Sequence, residues 1–290
     1  MSKTRTGEFT IGFRRGGTAW QKDLSTLTQW ALDNEFGAID IGRDGPTSGA
    51  AVVAAGLKVG TVDLADWQGM ISADAGKRRD AVAKNTEYAK ACAAIGPVNH
   101  FVVMLPENPA LARRENFGYM VEGFSELTPA LEASQARIAI EGWPGPGALC
   151  CTPEGYRAFF KECPSPAMGI NYDPSHLIRM GIDPLRFLRE FVDRVCHVHG
   201  KDTEILTEEL YEYGHEQAAT FGKPVAFAAM HWRYTIPGHG VMRWIEAFRI
   251  LAAAGYGGCV CIELEDANFN GPEESEKAGL TLGGRFLQGC

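Results

Sequence analysis

The sequence predicts an α/β fold: a (β/α)8 TIM barrel that forms a single domain over residues 1–290. Three observations lead to this prediction. Eight short runs of β-forming residues follow one another, helical patterns lie between them, and no glycine-rich phosphate loop follows the first run. Alternating strands and helices are typical of a parallel sheet. Eight such units in a chain of this length match a closed barrel better than a doubly wound sheet.

The predicted strands are runs rich in β-branched and apolar residues, bounded by polar or turn-forming residues. They lie at 9–13, 37–41, 56–64, 100–105, 137–141, 168–173, 195–199 and 259–263. Because a helical pattern separates each strand from the next, we expect all eight strands to run parallel.

The helices between the strands carry recognisable start and stop signals. A capping residue followed by proline opens two of them, at 152–153 and at 183–184, since proline suits the first helical position. A third helix is predicted over 242–254, where apolar residues recur at helical spacing. Gly255 follows as its C-cap.

The longest connection, 203–258, links the seventh predicted strand to the eighth. It contains the acidic stretch TEILTEELYEYGHEQ and then HWRYTIPGHG. A connection of this length after a barrel strand is usually functional. We therefore expect it to form part of the wall of the active site.

Composition narrows the class of protein. The chain is 45% hydrophobic with a formal net charge of −8, which argues against a nucleic-acid-binding protein, since these usually carry a basic surface. No apolar run approaches the roughly 18 residues of a membrane span. The eight cysteines show no zinc-type CxxC spacing, so we expect reduced, buried thiols and a cytoplasmic location.

The last four predicted strands end in residues that can bind a metal. In such barrels the reactive side chains lie at the carboxyl ends of the strands. The ends in question are Glu141, Asp173, His199 and Glu263. Taken singly, a strand-ending glutamate is usually solvated and a lone strand histidine is usually structural. Four successive endings of this kind favour one shared divalent ion, with Mn²⁺ as first choice and Mg²⁺, Co²⁺ or Zn²⁺ as alternatives.

The segment HVHGKD places His197, His199 and Lys201 at alternate positions. Alternate residues of a strand share one face, and a buried ammonium is costly unless an anion lies near it. We expect Lys201 to face the metal's carboxylates or an anionic intermediate, and His197 to be a hydrogen-bonded core residue one layer deeper. A salt-bridged turn formed by Lys201 and Asp202 is the alternative.

The runs IAIEGW, NYDPSHL, HVHGKD, WRYTIPGHG and CIELED together resemble the xylose isomerase-like TIM barrel superfamily, in its sugar phosphate isomerase/epimerase branch. The resemblance extends over about 137–266. It implies one divalent ion, and the residues that it implies as ligands are Glu141, Asp173, His199 and Glu263. It also implies that His176 binds a substrate hydroxyl and that Trp232 and Arg233 close on the substrate. His239 departs from the pattern of relatives.

The reaction expected of such a site is the removal of a proton next to a carbonyl of a sugar or keto-sugar. The ion would stabilise the enediolate, and Glu141 and Glu263 would exchange the proton from opposite sides of the substrate. Lys201 and Trp143 complete the predicted substrate-binding residues.

Three functions of the protein stay open. The first is an isomerase or epimerase. The second is a lyase, either an inosose or 3-keto-sugar dehydratase or a 3-keto-glycoside eliminase, and the third is a sugar-binding barrel without catalysis. We expect a homo-oligomer, either dimer or tetramer, with a hetero-oligomer as the alternative. Nucleic acids and membranes are not expected partners, and whether the substrate is phosphorylated stays open.

Overall fold

The computed structural model of the protein describes residues 1–290 and confirms the predicted barrel. Eight strands close into one parallel barrel in the order β1-β11-β7-β6-β5-β4-β3-β2, and three further strands form a small separate sheet in the order β8-β10-β9. The strands are β1 (Thr10–Arg14), β2 (Ala38–Ile41), β3 (Lys58–Asp63), β4 (Asn99–Val103), β5 (Arg137–Glu141), β6 (Met168–Tyr172), β7 (Val195–Gly200), β8 (Asp202–Ile205), β9 (Ala228–Ala229), β10 (Trp232–Thr235) and β11 (Cys259–Ile262).

Helices alternate with the barrel strands, and several begin where the sequence indicates. They are α1 (Ala19–Lys22), α2 (Leu24–Asp33), α3 (Gly45–Ala54), α4 (Ala75–Cys92), α5 (Arg113–Ala133), α6 (Pro153–Glu162), α7 (Pro174–Arg179), α8 (Pro184–Phe191), α9 (Thr207–Tyr213), α10 (Trp244–Ala253) and α11 (Glu273–Gly289). The N-cap side chain of Thr152 accepts a hydrogen bond from Gly155 N at the start of α6. That of Asp183 accepts two at the start of α8. Gly255 has a φ of +76° after α10, as its predicted capping role requires.

The chain divides into two compact units by the density of its internal contacts. The first unit comprises Met1–Ala38, Asp173–Val192 and Val198–Cys290. Within it β1 pairs with β11 in parallel, and β11 pairs with the end of β7 so that Cys261 lies opposite His199. This register sets the level at which the ends of β7 and β11 present their side chains.

The long connection belongs to the first unit and has more regular structure than the sequence indicates. Strand β10 pairs antiparallel with β8 and with β9, and this places Trp232 opposite Ile205 and Thr235 opposite Asp202. Side chains alternate along β10, so Trp232 and Tyr234 share one face while Arg233 lies on the other. Both aromatic residues are buried.

The second unit comprises Ile39–Tyr172 and Asp193–His197. Its strands β3, β4, β5 and β6 pair in parallel and in sequence order, and Glu141 at the end of β5 lies opposite Asn171 of β6. All eight cysteines of the chain are buried free thiols, as expected. None of the helices combines the length and the apolar character that crossing a bilayer requires.

Candidate metal centre and active site

Asp173 follows β6 directly and caps the helix that comes after it. Its Oδ1 accepts hydrogen bonds from the backbone N of Ser175 at 2.9 Å and from the Ser175 hydroxyl at 2.6 Å. These bonds fix the carboxylate through Oδ1 and leave Oδ2 to other neighbours. Oδ2 lies 3.8 Å from His199 Nδ1 and 3.2 Å from Lys201 Nζ. Capping therefore orients one oxygen of Asp173 toward the other strand ends.

Glu263 follows β11 and approaches the same place from the other side. Its Oε2 contacts Lys201 Nζ and lies 3.4 Å from His199 Nδ1. Its Oε1 lies 3.3 Å from Arg14 Nε at the end of β1. We call Asp173, His199 and Glu263 the ligand cluster. Within it, Glu263 has the charged or imidazole neighbours Arg14, Lys201 and His199.

Lys201 lies at the centre of these contacts, with 1% of its surface exposed. Its ammonium reaches Asp173, Glu263 and a further carboxylate, Glu265, whose Oε2 is 2.8 Å away. The anions that a buried lysine requires are thus present in Asp173, Glu263 and Glu265.

The electrostatics of the ligand cluster follow from its burial and from Lys201. Burial by itself raises the pKa of a carboxyl group, because it penalises the charged form. In Asp173 and Glu263 burial is the largest single influence, but the Lys201 ammonium and the neighbouring histidines together outweigh it, so the pKa of each carboxyl lies below its ordinary value. Both groups are therefore ionised at neutral pH and can bind a cation or accept a proton.

His176, on the first turn after β6, connects the ligand cluster to β10. Its Nε2 lies 3.4 Å from both Asp173 Oδ2 and Lys201 Nζ. Its Nδ1 forms a 2.6 Å hydrogen bond with Tyr234 Oη, which also accepts one from Arg179 Nη1 at 2.6 Å. Tyr234 and Arg179 thereby fix the imidazole ring of His176. Sequence reasoning missed both residues, although Tyr234 lies in the same WRYT run as the predicted pair.

Trp232 and Arg233, which were predicted to contact the substrate, make contacts with other residues of the chain. The Trp232 ring packs beneath the guanidinium of Arg179, 4.5 Å away, and Arg233 Nε donates to Glu204 Oε2 at 2.5 Å. Trp143 is half-buried, and its ring packs where a side chain on Gly145 would have to lie. Their contact with a substrate stays a prediction. His239, the residue that differs from the pattern of the relatives, is exposed.

Glu141, the remaining predicted ligand, lies at the end of β5 in the second unit. It is buried and accepts a 2.8 Å hydrogen bond from Asn171 Nδ2. His197 is also buried, and its Nε2 forms a 2.9 Å hydrogen bond with Asp40 Oδ2. That contact agrees with the interpretation of His197 as a hydrogen-bonded core histidine.

Asp202, next to Lys201, serves the loop that follows β10. Its carboxylate accepts hydrogen bonds from the backbone N of Thr203, Gly238 and Met242 and from the indole of Trp244. Burial raises the pKa of Asp202, and these bonds act against the rise. The carboxylate therefore has a structural role, since its bonds to Gly238 and Met242 hold the loop and its bond to Trp244 holds the start of α10.

A cavity of about 320 Å³ lies beside Glu263 in the first unit. Its lining includes the loop after β1 and the segment after β11, with Arg14, Arg15, Glu263 and Glu265 among its polar residues. Glu265 and Arg14 were not predicted as site residues. The alternation of CIELED was the available signal, because it places Glu263 and Glu265 on one side of the chain.

The structure thus defines a (β/α)8 barrel with a buried carboxylate and imidazole cluster at the carboxyl ends of its strands. The chain belongs to the xylose isomerase-like TIM barrel family, whose sequence model matches residues 47–283.

Known proteins similar to this chain include both dehydratases and epimerases. Inosose dehydratase of Bacillus thuringiensis (strain Al Hakam) is 27% identical over 188 residues, which cover 61% of this chain and 60% of the relative. A solved structure of D-psicose 3-epimerase with D-tagatose from Clostridium cellulolyticum H10 superposes with a TM-score of 0.70 at 15% identity, covering 97% of this chain and all of the other.

IolI with a bound zinc atom has a TM-score of 0.65 at 15% identity and covers 96% of this chain and 95% of its own. At such identities the structures show the fold alone. In sequence, the matches to the first curated relatives cover from 32% to 60% of those relatives' length.

Proposed function

We propose that this protein is a divalent-metal-dependent sugar isomerase or epimerase that moves a proton on a carbon next to a carbonyl. The observation that carries the proposal is the convergence of Asp173, His199 and Glu263, all largely buried, through ligand atoms less than 4 Å from one another or from Lys201. Buried anions gathered in this way are costly unless a cation offsets them.

The proposed ligands are Glu141, Asp173, His199 and Glu263. The donors of the first unit fit such an ion, because Asp173 Oδ2 and Glu263 Oε2 both lie within 4 Å of His199 Nδ1. Oxygen donors with one imidazole suit Mn²⁺ first, and Mg²⁺, Co²⁺ or Zn²⁺ as alternatives. Glu141 is included because of the family resemblance and because it lies opposite Asn171, two residues before Asp173. When bound, the ion would polarise the substrate carbonyl and stabilise the enediolate.

The proton chemistry is assigned to the two glutamates. A carboxylate that is ionised at neutral pH can accept a proton from carbon, and the low pKa of Glu263 keeps it in that form. Return of the proton to the same carbon from the opposite side inverts it, which is epimerisation. Return to the neighbouring carbon moves the carbonyl, which is isomerisation. General acid–base catalysis of this kind contributes about 10²–10⁴-fold to the rate.

His176 and Lys201 are the proposed partners of the substrate's oxygens. Both are buried beside Asp173, and their polar atoms face the ligand cluster. Trp143, Trp232 and Arg233 are proposed as outer contacts to the substrate. The cavity beside Glu263 is large enough for a sugar ring, and its carboxylates can accept hydrogen bonds from hydroxyl groups.

The proposal is tested by isotope exchange. The protein is incubated with Mn²⁺ in D₂O with a panel of ketoses and keto-polyols, and deuterium is located by mass spectrometry and NMR. We expect deuterium at one carbon next to the carbonyl of at least one compound. Absence of exchange into every compound, with the ion bound, would reject the proposal.

The second candidate is a metal-dependent lyase, either an inosose or 3-keto-sugar dehydratase or a 3-keto-glycoside eliminase. The similarity to inosose dehydratase over 61% of the chain favours it. In this alternative His176 or Lys201 would protonate the leaving oxygen after the same proton abstraction. A new ultraviolet-absorbing enone, formed from an inosose or a 3-keto-glycoside, would distinguish the lyase from the epimerase.

A further inference from the structure

The Lys201 ammonium contacts the same carboxylate oxygens that a bound ion would need. It lies 3.2 Å from Asp173 Oδ2 and in direct contact with Glu263 Oε2. His199 Nδ1 faces these same two oxygens, at 3.8 and 3.4 Å. The ligand atoms of Asp173 and Glu263 therefore converge on a position beside the ammonium.

A divalent ion and this ammonium cannot share those oxygens at close range. Metal–oxygen bonds of about 2.0–2.2 Å would bring two positive charges within a few ångströms of each other, in a site where little water screens them. Binding of the ion therefore requires the ammonium to withdraw. A buried ammonium also needs an anion to withdraw to, because Lys201 would otherwise lose all its charge partners.

Glu265 provides that anion. Its Oε2 lies 2.8 Å from Lys201 Nζ, and the side chain is about one third exposed at the edge of the cavity beside Glu263. His176 and the ring of Tyr234, whose centroid is 4.7 Å away, also lie against the ammonium. Neither is a carboxylate, whereas Glu265 is an anionic partner of Lys201 outside the ligand cluster.

We propose that Glu265 is a positioning residue that draws the Lys201 ammonium off Asp173 and Glu263 when the divalent ion binds. The inference rests on the proposed function, since it assumes that the ligand cluster binds an ion. With the ion bound, Lys201 is held at the edge of the cavity, where an oxygen of the substrate can accept a hydrogen bond from it. Before the ion binds, the same ammonium offsets the charge of the carboxylates.

The test is a double-mutant cycle read by Mn²⁺ affinity, measured by titration calorimetry on the full chain. The proteins are wild type, Glu265→Gln, Lys201→Met and the double variant. We expect Glu265→Gln to weaken Mn²⁺ binding about tenfold, because the ammonium then stays on the ligand oxygens. In the Lys201→Met background the same change should alter the affinity by less than about twofold.

Controls keep the cycle interpretable. Glu246→Gln removes another partly exposed glutamate of the first unit, which pairs with Arg243 at 3.1 Å on α10, and it should leave Mn²⁺ affinity unchanged. Should Lys201→Met not fold, as judged by circular dichroism, Lys201→Gln takes its place in the cycle.

Two results overturn the inference alone: a Glu265→Gln variant that binds Mn²⁺ like the wild type, or an equal loss of affinity with and without Lys201. The second would mean that Glu265 acts on the ion or the fold directly. A wild-type protein that binds no divalent ion overturns the proposed function together with this inference, so the two failures are distinguishable.

Discussion

Two glutamates of the first unit, the buried Glu276 and Glu263 with 14% of its side chain exposed, are held in opposite ways. Glu276 Oε2 accepts hydrogen bonds from the Thr18 hydroxyl, the Trp20 indole and the Gln21 amide at 2.7–3.0 Å, and its Oε1 accepts one from Gly271 N. Glu263 has Arg14, Lys201 and His199 around it instead.

The difference shows which buried carboxylate is available for chemistry. Neutral donors fixed by the fold satisfy Glu276 completely and tie the loop after β1 to α11, so exchanging any partner costs stability. Charged partners on long side chains can move, and a metal ion can replace their charge. We therefore interpret the surroundings of Glu276 as a structural anchor and those of Glu263 as a site for exchange.

The largest expected effect comes from removing a charge of the ligand cluster. Asp173→Asn and Glu263→Gln should each weaken Mn²⁺ binding by more than the roughly 10–100-fold that loss of an outer partner of a metal ligand causes. Deuterium exchange into substrate should fall with it. Calorimetry measures the first quantity and NMR the second, with Glu246→Gln as the control. Wild-type affinity in either variant would remove that residue from the ligand set.

Substitution of Glu276 should lower the stability of the fold and leave metal binding nearly unchanged. Glu276→Ala leaves four donors, on Thr18, Trp20, Gln21 and Gly271, without their acceptor, which should lower the free energy of unfolding by about 3 kcal/mol. Urea unfolding measures this loss. Mn²⁺ affinity should stay within about threefold of wild type at temperatures where the variant is folded. Unchanged stability would contradict the anchor role.

His100 of the second unit extends the comparison, because its ring nitrogens have neither neutral hydrogen-bond partners nor charged ones. His100 is fully buried, and neither ring nitrogen forms a hydrogen bond. Burial lowers the pKa of His100 to about 4. An unfolded histidine has a pKa of about 6.5, so the unfolded chain binds the proton more strongly. The stability that His100 confers in its neutral form is complete above pH 6.5 and is lost as the pH falls toward 4.

Between pH 7 and pH 5 this histidine should account for a loss of about 2 kcal/mol of stability in the wild type. His100→Leu cannot be protonated, so its free energy of unfolding should fall by that much less over the same interval. Urea unfolding of both proteins at the two pH values gives the difference directly. Equal losses in the two proteins would show that His100 is hydrated or paired.

The smallest effect is expected for an exposed pair. Arg243 and Glu246 lie 3.1 Å apart with side chains 62% and 40% exposed. Glu246→Gln should change the free energy of unfolding by less than about 0.5 kcal/mol, because solvent already screens such pairs. A larger change in urea unfolding would mean that exposure is a poor guide to which charges matter here.

Local patterns were sufficient to predict the barrel. All eight of its strands and the starts of α6 and α8 follow from residues close in sequence: a run of β-forming side chains, a cap, a proline. The small sheet was missed because β10 is only four residues long and pairs with β8, which lies far from it along the chain. Neither strand alone has a pattern long enough to distinguish it from a loop.

The parts of the site that could be predicted are those that follow from the charge requirements of single residues. A buried lysine requires anions, and this much follows from HVHGKD without a structure. Which anions satisfy it depends on where β6 and β11 end in space, so Glu265 was missed. The support of His176 by Tyr234 likewise depends on the path of the long connection.

Lys201 and Asp202 are adjacent, yet one faces the ligand cluster and the other holds the loop after β10. Successive residues of an extended chain alternate in direction. Deleting one residue between His199 and Lys201 would therefore bring the carboxylate of Asp202 to the place of the ammonium, and inserting one would bring the lysine to the place of the loop's acceptor. The length of this short segment is constrained as strictly as its composition, and homologous barrels with a different spacing here should carry a rearranged charge pattern at the mouth.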